Sequence, residues 1–571
     1  MTRYLLLFAL GPVQGFIAQA RKTQDFYAGS YILSHLCRIS LLRAEELGAE
    51  VVFPNPQLQG LPNRFLVEVP AEDKERVIAI GREIERATRE EFKRLAGTIV
   101  ARMGLEVSPE FWEQIENTLE TYWVSLPVGE EDYAETYRQL CFQMASIKNL
   151  RKFKQLKQPP GRRCLLAGEH NVLFIRPKRN HRGLYAPGAQ RVGGEIPLKY
   201  LAEGEGLGAV AFVKRCADKY FTENFVGEFA PTSKIALYNA LDRLKKADPS
   251  YGPLVKSDFD PSLIFALEND NKSVLDGGEM EIPSRIYEGL RKYGIPISPY
   301  YGLLVFDGDD VGKLYTEPAL GPNCTLRSFH IELSRALAKF GHRVQNEILY
   351  PPVGRTVYAG GEDFVGFLNP EYLFPIIQRL RDEFGQIDLA SFLADHLTFS
   401  AGIVVAHYKT PLAKVFAWAR KMEERAKAID ENKDAFGLAI LKGSGEIHAT
   451  VLKWKYKDRW STETLQVLIE VLREGKFSPT FIRSFNQQFG KLVGPEDAGK
   501  GPFLDAMVKT ELKRLIERAK TVATDPLADK GGLPNSCAQS LAEELHTLYL
   551  DCGSLDNFIK ALEIIAFLAK N

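Results

Sequence analysis

Three carboxylates in two short stretches carry the strongest chemical signal in this chain. Asp307 stands in Asp307-Gly308-Asp309-Asp310, and Glu362 and Asp363 in Tyr358-Ala359-Gly360-Gly361-Glu362-Asp363-Phe364. Carboxylate oxygens are hard donors, and a group of them suits Mg²⁺ or Mn²⁺. Two such ions can activate a ribose hydroxyl and hold an α-phosphate and its leaving pyrophosphate in line. Adjacent acids repel one another in a confined turn, so a positive group is expected nearby. Lys427 could pair with the β- and γ-phosphates, and Gly308, Gly360 and Gly361 would leave room for a triphosphate against the backbone. Taken by itself the hairpin is only an acidic turn; Asp307 is what makes it a candidate site.

The flanking residues say how the acids could meet. Tyr300 to Phe306 is an apolar run that ends on Asp307, and Thr356-Val357 and Phe364 to Leu368 enclose the two glycines, the pattern of strand, tight turn, strand. Leu326, Phe329, Leu333, Leu337, Phe340, Val344 and Ile348 recur at three- and four-residue steps, predicting an amphipathic helix between them. Asn369-Pro370 is an N-cap and N1 pair for a second helix with Leu373, Ile376, Ile377, Leu380 and Phe384 on its apolar face. A strand from Leu397 to Ala406 and a helix from about Pro411 to Ile429 complete a β-α-β-β-α-β unit over 296–450. In that topology the first strand and the hairpin strand are neighbours, so Asp307 and Glu362-Asp363 share one edge of the sheet.

A similar order opens the chain. An apolar strand over 4–10, a long helix bearing Phe16, Ile17, Tyr27 and Tyr31, strands at Val51–Phe53 and Phe65–Val67, and a charged helix over 72–95 spell β-α-β-β-α. The loop between its hairpin strands has no paired acids, so no metal chemistry is expected there. Residues 98–147 read as helical filler around Trp112 and Trp123. From Lys148 to Arg163 there are seven basic residues and no acid; Arg176, Lys178, Arg179 and Arg182 follow, with Phe153 and Tyr185 interleaved. Such a stretch either contacts a phosphate backbone or forms a solvated basic face. Residues 216–295 alternate short helical patterns with loops, and helices are predicted over 463–474, 504–520, 538–549 and 554–570. The fold class is therefore α+β: two ferredoxin-like units, over 1–215 and 296–450, with helical regions over 216–295 and 451–571.

Composition excludes little. Lys+Arg and Asp+Glu both number 73, so global charge argues neither for nor against nucleic acid. Seven cysteines without a CxxC pair fit free thiols in a reducing cytoplasm. Leu5 to Leu10 lacks a small-residue cleavage pattern after it and reads as a buried strand rather than a leader. No apolar run is long enough to span a membrane as a helix.

The Asp307-Gly308-Asp309-Asp310 strand end, the YAGGEDF hairpin, the SAGIVVAHYKTPL junction and the later ERAK resemble a palm-type cyclase domain. With GPVQGFIAQARKTQDFYAGSYILSHL and FPNPQLQGLPNRF near the start, nearly the whole chain resembles the large subunits of type III-B CRISPR effector (Cmr) complexes. That resemblance implies a protein that joins crRNA-guided subunits, senses target RNA and converts ATP to cyclic oligoadenylate. Its partners would be the subunit holding the crRNA 5′ tag, the small helical subunit, crRNA and target RNA. By motif position Asp307, Glu362 and Asp363 would be metal ligands, Gly308, Gly360, Gly361 and Lys427 would lie along the triphosphate, Asp310 is a further candidate, Ser400 would face a base and Ser30 would touch a second nucleotide.

Three departures qualify the expectation. The sequence has no His-Asp dipeptide, only the reversed Asp395-His396, so no HD-type DNA cleavage is expected of this polypeptide. The family's four-cysteine zinc site is reduced to Cys164, with Gly208-Ala209-Val210-Ala211 at the second position, and no zinc is expected. The usual aspartate pair is Glu362-Asp363, one methylene longer. Two other readings are a nucleotide-binding assembly scaffold with little turnover and a stand-alone cyclase of GGDEF type.

Overall fold

The computed structural model describes residues 2–571 apart from 59, 129–132, 151–157, 179–182, 222–224, 226–228, 270–279, 322–323, 390–391, 393–395, 457–458, 476, 492–501 and 520–534. The centre of the basic stretch, with Lys152, Lys154 and Lys157, lies outside the described residues, as do Arg179, Arg182 and Asp395.

In the first palm-like unit, β1 (Thr2–Gly11), β2 (Glu50–Phe53), β3 (Arg64–Ala71) and β4 (Glu120–Pro127) form a sheet in the order β2-β3-β1-β4. β1 is central, so Leu5 to Leu10 are covered on both faces and need no polar alternation. β4 corrects the expectation of helical filler over 98–147. Its sequence ETYWVSLP is rich in aromatic and β-branched residues, a strand signal masked by the helices on either side. Trp123 lies on this strand and covers Gly81 of the helix α2 (Lys74–Arg102), which starts at an Asp73 cap accepting the Arg76 N–H at 2.8 Å.

The second unit repeats the order. β5 (Tyr300–Gly308), β6 (Gly354–Gly360), β7 (Asp363–Leu368) and β8 (Phe399–His407) stand as β8-β5-β7-β6. Two further strands, β9 (Ala435–Leu441) and β10 (Ile447–Lys453), extend it to six. The predicted apolar stripe is buried on α3 (Leu326–Arg343) and the turn after it, and α4 (Leu373–Gly385) follows the Asn369 cap. α5 (Leu412–Lys427) lies so close to the sheet that a Cβ on Gly402 would sit 1.8 Å from the Ala419 carbonyl oxygen, and one on its ladder partner Gly437 2.5 Å from that of Met422. Only glycine at both positions admits the helix at this depth.

The two units pack together. Phe26, on the long helix Thr23–Glu46, meets Phe367 at 6.1 Å and Phe416 at 5.0 Å between ring centroids. Asn55 donates its N–H to Ser334 Oγ, and Arg327 pairs with Glu68 and Glu50. His330 is fully buried at the same junction, held by the Tyr133 hydroxyl and the Tyr315 carbonyl, each at 2.8 Å. Beyond the paired strands Lys455–Tyr456 and Arg459–Trp460, the regular elements among the described residues are helices, with Thr480–Phe489 as one the periodicity did not reveal. The last, Leu555–Lys570, covers the edge strand β10: the Asn557 amide donates to the Val451 carbonyl and accepts its N–H.

Candidate active site between the two palm-like units

Two residues, Gly361 and Glu362, connect β6 to β7. Gly361 has φ +75 and open space around its Cβ position, as a tight hairpin with glycine first requires. The ladder then sets Asp363 directly opposite Asp307, while the Gly308 N–H donates to the Glu362 carbonyl at 3.0 Å. Topology and register thus gather the acids at one edge. A Cβ on Gly308 would stand 2.5 Å from Val311, so the residue after Asp307 must be small.

The positive partners come mainly from α5. Lys427 Nζ lies 2.5 Å from Asp307 and 3.0 Å from Glu423; Arg420 reaches Asp363 at 3.3 Å and Glu423 at 2.8 Å. Glu423, buried between them, anchors both cations. Burial works against the charge of Lys427, but Asp307 and Glu423 leave its pKa above the ordinary lysine value. Burial raises the pKa of Glu362 and Asp363, and the opposing influence of Arg64 on the first and Arg420 on the second does not cancel it. The acids are therefore short of positive charge even with these partners in place. Asp307 and Asp363 remain about one-third exposed, so a cation can reach them. Among the described residues no three His, Cys, Asp or Glu side chains are gathered closely enough to hold a metal as they stand.

The other expected residues divide. Ser30 is buried and lines one small cavity with Tyr358, Asp363 and Arg420, so the first unit does contribute to the site. Gly360 packs on Tyr358, leaving Gly361 as the open glycine. Asp310, in a left-handed conformation, pairs with Lys313 at 2.9 Å and Lys433 at 2.8 Å rather than joining the three acids. Ser400 is fully buried and donates to Asp309 Oδ1 at 2.8 Å. Asp309 also accepts from Thr398 and from the Asp434 N–H, so it is an internal brace. Sequence reasoning missed Arg420 and Glu423, although their spacing of seven and four residues from Lys427 marks one helix face. Arg64 comes from the other unit and had no local signal.

The region of the degenerate zinc ribbon is a three-stranded patch, with Cys164 fully buried in the apolar core.

Residues 300–437 match the family model described as Cas10/Cmr2, second palm domain, and residues 5–60 that described as CRISPR-associated protein Cmr2, N-terminal. Over these two segments the chain is similar to Cas10/Cmr2 proteins. Among curated relatives, the CRISPR system Cmr subunit Cmr2 of Pyrococcus furiosus is 22% identical over 631 residues, covering 92% of this chain and 70% of that protein. Two solved chains share the fold at 14% identity. One is from a type III-B Cmr-beta complex bound to cognate target RNA (TM-score 0.68, covering 100% of this chain and 83% of the other). The other is from the apo state of Cmr-beta (TM-score 0.64, 96% and 81%). No described helix is long and apolar enough to cross a membrane.

Proposed function

We propose that this chain is the large subunit of a crRNA-guided type III-B effector complex that makes cyclic oligoadenylate from ATP once target RNA is bound. The observation that carries the reading is the register of Asp363 opposite Asp307, with Glu362 in the adjoining turn and Ser30 of the first palm on the same cavity. The crRNA 5′-tag subunit, the small helical subunit, crRNA and target RNA are the partners of this reading, and the cytoplasm its compartment.

The donor set fits a hard divalent cation: three carboxylates, two of them under-compensated in charge and two within reach of solvent. Asp307, Glu362 and Asp363 would hold Mg²⁺ or Mn²⁺, which when bound supplies Lewis-acid charge for phosphoryl transfer. Lys427 leaves Asp307 for the triphosphate, and Glu423 keeps its stem aimed at the cleft. Arg420 limits repulsion between Asp363 and its neighbours. Gly361 leaves the turn backbone open to phosphate, and Ser30 positions the second nucleotide so that its ribose hydroxyl faces the first.

The test uses the complex assembled with guide and matching RNA, labelled ATP and Mg²⁺ or Mn²⁺. Oligoadenylate that disappears with Asp363→Ala, while RNA binding persists, supports the proposal. Target-RNA binding without product formation in the unaltered complex makes the chain a scaffold. Product from the isolated chain, indifferent to RNA, makes it a stand-alone cyclase.

A further inference from the structure

A second cleft begins at the opposite end of β6 from the acidic turn. Its walls come from Arg21 to Gln24, from Lys199 and Tyr200, from Arg215 and Asp218, from the helix Thr232–Ala247, from 256–261, and from Pro351, Pro352 and Arg355. It encloses about 990 Å³, the size of a small-molecule site. None of Asp307, Glu362, Asp363, Lys427 and Ser30 lines it. Arg355 and Gly360 stand five positions apart on β6, roughly 17 Å along the strand.

The cleft is cationic, and three of the acids around it are paired with cations. Asp25 and Glu205 are held by the buried Arg215, and Asp242 by Lys245 and Lys246. Asp218 accepts the Tyr200 hydroxyl and Asp260 accepts the Ser262 N–H. Those two donors are neutral and offset no charge, so Asp218, Asp258 and Asp260 stand as three wall carboxylates against Lys22, Lys199, Lys234, Lys256 and Arg355. Three of these cations rest on ring faces instead of acids: Lys234 is 5.5 Å from the centroid of Phe259, Arg355 5.1 Å from Phe229, and Lys199 5.2 Å from Tyr200. Lys22 donates to the Lys199 carbonyl at 2.6 Å. Its ammonium is disfavoured by burial and by the neighbouring Arg215, which marks a place where an anion would be stabilised.

We infer that this cleft binds a phosphorylated ligand of nucleotide size, with Lys22, Lys234, Lys256 and Arg355 taking the phosphates and Phe229 and Phe259 walling the flat ring. Cations already held over aromatic faces lose little conformational freedom on meeting phosphate. Walls from six chain segments favour a compact ligand over a nucleic-acid strand. The inference does not depend on catalysis at the three acids.

Calorimetry on the full chain carrying Asp307→Ala and Asp363→Ala, with ATP and inorganic triphosphate as probes in EDTA, tests it. Saturable binding is expected for both probes, weakened at least tenfold by Lys234→Ala with Arg355→Ala, and largely restored when Arg355 is replaced by Lys instead. Unchanged melting temperature of the variants separates loss of the site from loss of the fold. Absence of saturable binding, binding indifferent to Lys234 and Arg355, or displacement of ATP by a tighter-binding single-stranded RNA would each overturn it.

Discussion

The two palm-like units have the same four-strand order, with the first strand central in each, but they differ at the hairpin. In the second, two residues join β6 to β7, and the turn carries acids that meet Asp307 across the ladder. In the first, residues 54–63 join β2 to β3 without paired acids, and this longer loop is used for docking. Gly60 comes so close to the second hairpin that a Cβ there would lie 3.1 Å from the Ala359 carbonyl, and Asn55 bonds to Ser334. One scaffold thus gives a chemical edge where the turn is short and charged, and a supporting surface where it is long and rich in proline. The first palm still contributes to the candidate site through Ser30 and Arg64, from a helix and a strand end rather than from its hairpin.

The largest effect should come from the acids. Asp363→Ala should reduce oligoadenylate formation by on the order of 10²–10³-fold, measured as product from labelled ATP in the assembled complex. Asn63→Asp in the first hairpin loop should not restore it. Rescue by the latter would show that the two hairpins are interchangeable and break the contrast.

Next in size is the seating of α5. Gly402→Ala forces the helix away from the sheet and should destabilise the protein by ~3 kcal/mol, read as a fall in the denaturation midpoint. Nucleotide affinity should fall with it, because Arg420 and Lys427 ride on that helix. An unaltered midpoint would mean that the close approach does not fix the cations.

The junction between the palms should be acid-sensitive. Burial holds His330 at about 4, below its ordinary 6.5. The unfolded chain therefore takes up a proton first as pH falls, so the stability His330 provides is complete above pH 6.5 and is lost progressively down to about pH 4. The loss should reach about 2 kcal/mol by pH 5. Unfolding followed from pH 7 to pH 5 should show a shallower pH dependence in His330→Gln than in the unaltered chain.

The smallest effect is expected from Glu50→Ala. It removes only the exposed partner of Arg327, leaves the pair with buried Glu68 in place and should cost about 0.5–1 kcal/mol, diminishing with added salt. A loss several times larger would make this ion pair, rather than the Phe26 cluster, the principal tie between the units.

The elements that carry chemistry are legible in the amino-acid sequence. The apolar run ending on Asp307, the two glycines before Glu362 and the three- and four-residue steps of α3 are local patterns, and local patterns suffice for strand, turn and helix. Long-range pairing and packing lie outside such patterns. The strand Glu120–Pro127 was hidden between helices, and its place beside β1 depends on a long-range pairing that no window of sequence contains. Ser400 reads as a strand residue facing either way until Asp309 is seen beneath it. Arg64 and Ser30 reach the site only because one unit packs against the other. The depth of α5, and hence the hold of Lys427 on Asp307, follows from Gly402 and Gly437 standing side by side on two strands. The order of residues supplies the carboxylates that could act; tertiary packing sets which cations face them, because charge and burial depend on neighbours in space rather than along the chain.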